Sequence, residues 1–171
     1  MSEDQVKGAS PEEQVIESAR RNNVDLFDSL ELEFKDTPEE FLKVLNGAHD
    51  ATGDTALHLC CKYGCYEVMD RIIDFKGANL EPKNPMTGDT PLHYAANYSF
   101  QEPEYAFFLI EQLIEVGADP MVKNNDGLTP VDIVGGSNEK IKMVLQSAQY
   151  AAYAPEQVEI EGDEPEDDES N

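Results

Sequence analysis

The chain has 171 residues, with 36 acidic and 12 basic side chains and a formal net charge of −24 at pH 7. That balance argues against a direct nucleic-acid ligand, because a phosphate backbone is held by a positive surface, and against an anionic membrane for the same reason. With 40% hydrophobic residues the chain can build one real core, yet no apolar run reaches the roughly 20 residues of a membrane span, and the start MSEDQVKGAS lacks the layout of a signal peptide. The cytoplasm, and at this size also the nucleus, are the expected compartments.

Residues 1–9 read as a flexible leader. Ser10-Pro11-Glu12-Glu13 then has the chemistry of a helix start: Ser as N-cap, Pro at the first helical position, and Glu13 reaching back. Val15, Ile16 and Ala19 give that helix a short apolar face. Arg20-Arg21-Asn22-Asn23 breaks the pattern. A second helix is expected from Val24 to Phe34, with Phe27, Leu30 and Phe34 on one side. Thr37-Pro38-Glu39-Glu40 repeats the capping chemistry and predicts a short extra helix through Phe41, Leu42 and Leu45, ending before Gly47.

A phrase then recurs. GDTALH stands at 53–58, GDTPLH at 88–93 and GLTPVD at 127–132, with starts 35 and then 39 residues apart. A period in this range means one supersecondary unit stacked on copies of itself. In the first unit Thr55 caps a helix from Ala56 to Tyr63, Gly64 permits the turn, and Val68, Met69, Ile72 and Ile73 stripe a second helix over about 67–75. Gly77-Ala78-Asn79 closes the unit. In the second, Thr90 caps a helix to Tyr98, Leu109, Ile110, Leu113 and Ile114 line the next, and Gly117-Ala118-Asp119 ends it. The extra length of this unit is assigned to an inter-helix loop at 98–105. Six of the 14 Phe and Tyr residues fall between 94 and 108, so that loop is expected to be aromatic. In the third, Gly135-Gly136 cuts the first helix short, and Ile141, Val144, Leu145 and Ala148 stripe a helix to about Tyr150. After Pro155 there are nine acids and no base, which predicts a disordered tail. With those nine removed from the 36, 27 acids still face 12 bases.

The phrase, the capping Thr, the paired helix stripes and the GAN/GAD terminators together resemble the ankyrin repeat. The resemblance implies an all-α solenoid of helix-turn-helix units with short β-hairpin loops. The domain is expected over 10–153: a divergent N-terminal cap at 10–48, repeats at 49–83 and 84–122, and a truncated C-terminal repeat at 123–153, with the acidic tail at 154–171. It also implies structural roles for Thr55, His58, Thr90 and His93, each His tying its repeat to the next rather than serving catalysis. Partners of such proteins dock along the concave face. Carried over position by position, that face comprises Thr52, Asp54, Lys62 and Tyr63, then Met86, Thr87, Asp89, Asn97 and Tyr98, then Asn125, Asp126 and Leu128. Phe100 and Tyr105 form a second candidate epitope in the aromatic loop.

The expected function is a non-enzymatic protein–protein interaction module, monomeric, with no cofactor and no metal. No nucleophile elbow, phosphate loop or metal motif is present. The acidic surface suits a basic protein partner, and an escort of a ribosomal or histone-like client is the sharpest form of that reading. The alternative is an adaptor or regulatory subunit that binds through the concave face or the aromatic loop. A more distant one is a metal or redox sensor built on Cys60, Cys61 and Cys65, against which small core thiols are the plainer expectation. His49 is expected in a hairpin loop, with no partner that would make it a base.

Overall fold

The computed structural model describes residues 8–154. Most of the expected leader, and all of the expected tail beyond Ala154, lie outside the described residues. Within them nine helices follow one another: α1 (Pro11–Arg21), α2 (Val24–Glu33), α3 (Pro38–Gly47), α4 (Ala56–Tyr63), α5 (Tyr66–Asp74), α6 (Pro91–Tyr98), α7 (Pro103–Glu115), α8 (Pro130–Val134) and α9 (Glu139–Tyr153). The β-hairpin character of the loops is reduced to one isolated antiparallel bridge, between His49 and Thr55.

The first helix of each unit stacks on its counterpart, α1 on α4, α4 on α6 and α6 on α8, to make an inner layer. The second helix of each unit backs it, and α9 packs on α7. The core lies between the layers, around fully buried Phe27, Phe41, Leu59, Met69, Leu92, Leu109, Ile110, Ile141 and Leu145. Close approach of the inner helices needs small side chains. Cys60 and Cys61 in α4 take the places that Ala95 and Ala96 take in α6, and all four are fully buried.

At the N-terminus the capping box forms as the sequence predicts, with Glu13 N–H donating to Ser10 Oγ (3.2 Å) and Ser10 N–H to Glu13 Oε2 (2.9 Å). Asn22 ends α1 in the left-handed region (φ 53°), and its amide oxygen accepts from Val68 N–H at 3.1 Å. It thereby caps α5, whose own N-cap Cys65 provides no side-chain bond. Thr37 does not act as the expected cap, since its side chain accepts nothing from α3.

The extra length of the second repeat is placed differently from expectation. Its inter-helix loop is only residues 99–102, and the larger part of the insertion extends the outer helix, 13 residues in α7 against 9 in α5. Pro103 at the first turn fixes the earlier start. Tyr105 is therefore a helical residue, not part of a loop.

Candidate protein-binding face

The repeated phrase builds the scaffold of this face. Thr55 N–H donates to His58 Nδ1 at 3.1 Å, and the Thr55 hydroxyl lies 3.0 Å from the same nitrogen. A backbone N–H can only donate, so Nδ1 is the acceptor and the ring proton sits on Nε2. Nε2–H then donates to the Asp89 carbonyl of the next unit at 2.8 Å. His93 repeats the arrangement, with Nδ1 3.1 Å from Thr90 N and Nε2 2.8 Å from the Leu128 carbonyl. Burial holds both imidazoles below their ordinary pKa, in keeping with the neutral form that this geometry requires. In the third phrase Asp132 replaces the histidine. Its Oδ2 accepts from Thr129 N–H and Oγ1–H, both at 2.8 Å, and being a carboxylate it extends no donor onward.

The hairpin tips are fastened in the other direction. Asn84 Oδ1 closes its own turn by accepting from Met86 and Thr87 N–H, while its amide donates back to the Thr52 carbonyl (3.1 Å) and to Asp54 Oδ1 (2.7 Å). Asn124 does the same, donating to Asp89 Oδ1 at 2.8 Å. Asn125 donates to the carbonyls of Met86, from its side chain, and Thr87, from its backbone. Gly88 leaves room for that contact, since a Cβ there would stand 2.8 Å from Asn125 N.

These bonds sort the expected contact residues. Asp54 is a correction: it is 1% exposed and cannot meet a partner. Its carboxylate is consumed by Asn84, by the Tyr94 hydroxyl at 2.5 Å, and by Lys62 at 3.8 Å. A buried carboxylate survives only when paired in this way. Asp89 is half-buried and holds Asn124, so it is a fastener as well as a wall of the face. Thr52, Thr87 and Asn125 are exposed, but their side chains are engaged in the turns. Tyr63, Met86, Asn97, Asp126 and Leu128 are exposed, with Met86 75% exposed, and Lys62 is exposed while its ammonium is shared with Asp54.

Lys62, Asp89, Asn97 and Tyr98 come together around one depression of about 310 Å³ between α4 and α6. Tyr94 and Gln101 complete its lining and were missed in the sequence. Part of the signal was present: Tyr94, Asn97 and Tyr98 recur at i, i+3 and i+4 on one face of α6, and Gln101 follows them in the loop. Tyr98 is half-buried, its ring resting where Gly64 has no side chain. The depression pairs a Lys ammonium and a carboxylate with phenol and amide groups, donors and acceptors that can hydrogen-bond a polar group.

Phe100 is exposed in its loop, whereas Tyr105 lies on α7 beside Phe108 and Tyr66, on the outer layer. Cys60 and Cys61 are fully buried, and burial lifts their thiols above the ordinary range, which disfavours a thiolate. Among the described residues no group of three His, Cys, Asp or Glu is placed to hold a metal. His49 Nδ1 contacts only the Asp50 carbonyl among the described hydrogen bonds.

Residues 16–124 match the family described as ankyrin repeats (3 copies). The chain is 43% identical over 164 residues to an ankyrin repeat-containing protein of Saccharomyces cerevisiae, covering 95% of this chain and 90% of that one. It is 31% identical over 98 residues to alpha-latroinsectotoxin-Lt1a of Latrodectus tredecimguttatus, covering 57% of this chain and 6% of the toxin. An ankyrin repeat protein of fowlpox virus is 34% identical over 99 residues, covering 56% of this chain and 27% of the viral one.

Proposed function

The chain belongs to the ankyrin-repeat family, a family of protein-interaction modules, and from that premise we propose that it binds a basic protein client and escorts it. The observation that carries this reading is the excess of 36 acids over 12 bases. A surface of that sign attracts a basic chain over about a Debye length and speeds encounter. The inner face then supplies selection: the depression at Lys62, Asp89, Asn97 and Tyr98, together with exposed Tyr63, Met86 and Leu128. Aromatic and Met anchors within a polar rim are the composition of a binding patch. The acidic segment beyond Pro155 adds charge that would cover the client's nucleic-acid surface.

The test is capture of partners at low and at high salt. Basic proteins retained at low salt and released at high salt are expected, and neutral or acidic partners held regardless of salt would overturn the escort reading. Asn97→Arg places a cation in the depression and should lower retention severalfold with the urea midpoint unchanged. An adaptor role through the outer aromatic residues is favoured separately by the exposure of Phe100 and Tyr105. The buried, unionised thiols give a metal or redox sensor no support.

A further inference from the structure

On the outer layer, α5 and α7 enclose a recess of about 230 Å³ lined by Tyr66, Glu104, Tyr105 and Phe108. It shares no residue with the inner depression. Tyr66 and Phe108 meet at 4.5 Å between centroids with their planes 55° apart, forming a corner. Tyr105 and Phe108 are 50% and 37% exposed, so the corner is open to solvent.

The electrostatics of the recess point to a cation. The Tyr66 hydroxyl donates to Asp70 Oδ1 at 3.2 Å, which turns the ring and holds it in place. Asp70 is also 3.9 Å from Arg71, so its charge is partly taken up. Glu104 enters no ion pair among the described residues. Asp70, Asp74 and Glu67 all act on the Tyr66 hydroxyl and raise its pKa, after burial itself, so the field there is negative. An apolar occupant would strip water from Glu104 without replacing it. A cation over ring faces, beside a carboxylate, satisfies both halves of the lining.

The next ring on the same helix shows the pairing at work. Lys140 Nζ stands 4.0 Å from the centroid of Phe107. Among the described residues no Lys or Arg stands over Tyr66, Tyr105 or Phe108. We propose that the recess is a second binding site, taking the guanidinium of an arginine from a basic segment of a partner protein. Arginine is favoured over lysine because its planar group stacks on a ring while its N–H fork pairs with a carboxylate, and it sheds water more readily than an ammonium. The site depends on the inner-face reading only for the basic character of the partner.

The experiment titrates the full chain with three short peptides of equal length, one carrying arginine, one lysine and one citrulline, followed by calorimetry and by the ring-proton NMR signals of Tyr105 and Phe108. The arginine peptide should bind tightest and move those ring signals, and the citrulline peptide should do neither. Tyr105→Ser and Glu104→Gln, both at exposed positions, should each weaken it by roughly threefold to thirtyfold with an unchanged urea midpoint. Asn97→Arg on the inner face should leave ring shifts and affinity for the recess intact. Unmoved ring signals, or equal binding of the arginine and lysine peptides with no loss in the two recess variants, would overturn the site. Loss confined to Asn97→Arg would overturn it too, while leaving the inner-face function standing.

Discussion

At the scale of single residues, the two histidines do the work of joints. Each accepts at Nδ1 from its own helix start and donates at Nε2 to the following unit. Removing the His58 ring strands the Thr55 N–H and the Asp89 carbonyl. His58→Ala should therefore cost ~2–4 kcal/mol, seen as a lower urea midpoint, since each buried orphan costs ~1–3 kcal/mol. Their titration has a defined sign. Burial depresses the folded pKa below the ordinary 6.5, so the unfolded chain binds more protons in the window between the two values. The stability from this source is complete above about 6.5 and is lost as pH falls from there through the folded pKa. Chemical denaturation at a series of pH values should show that decline, reduced in His93→Gln. These roles could be expected because Thr and His stand in fixed order in both phrases. Asp54 could not be placed so easily, since its exposure is decided by Asn84 and Tyr94, 30 and 40 residues away in sequence.

Between elements, the helix terminators are held by acceptors from the preceding unit. Asn46 in α3 accepts from Asn79 N–H at 2.8 Å, and Glu81 accepts from Asp119 N–H at 2.6 Å, just past the end of α7. The second oxygen of Glu81 is buried without a partner, and burial lifts the carboxyl to about 6 from its ordinary 4.5. A raised folded pKa contributes stability below the unfolded value and loses it as pH rises through about 6, the opposite slope to the histidines. Glu81→Gln keeps the bond to Asp119 and removes the charge. It should raise stability at neutral pH by up to about 1 kcal/mol once solvent screening is allowed for, and flatten the pH profile above 6. Gly88→Ala should lose more than ~1–2 kcal/mol, because its backbone is left-handed (φ 72°) and its Cβ would strike Asn125. Helix stripes and terminators were legible in the periodicity. The length of α7 was not, because a count between two anchors fixes the total excess and leaves its division between loop and helix open.

Over the whole molecule, an acidic body carries one lined depression on its inner layer and one aromatic recess on its outer layer. Both lie between units, at α4–α6 and at α5–α7, so a binding energy spent on either also holds two repeats together. A bound basic client should therefore raise the thermal midpoint of the full chain, and the gain should shrink as salt weakens binding. The solenoid itself was legible from the recurrent phrase. The outer recess was hidden, because Tyr66 and Phe108 belong to different repeats and no spacing within one unit brings them together. The residue that stands where the earlier phrases have histidine carries a further meaning. Asp132 seals the start of α8 as a histidine would, yet offers nothing to a successor. The run of bonds from one unit to the next is interrupted here by a side chain that closes its own turn and has no donor left over. A longer protein engineered from these units would have to restore His at 132 before another copy could lock on; the same change without an added copy would leave a donor looking for a partner.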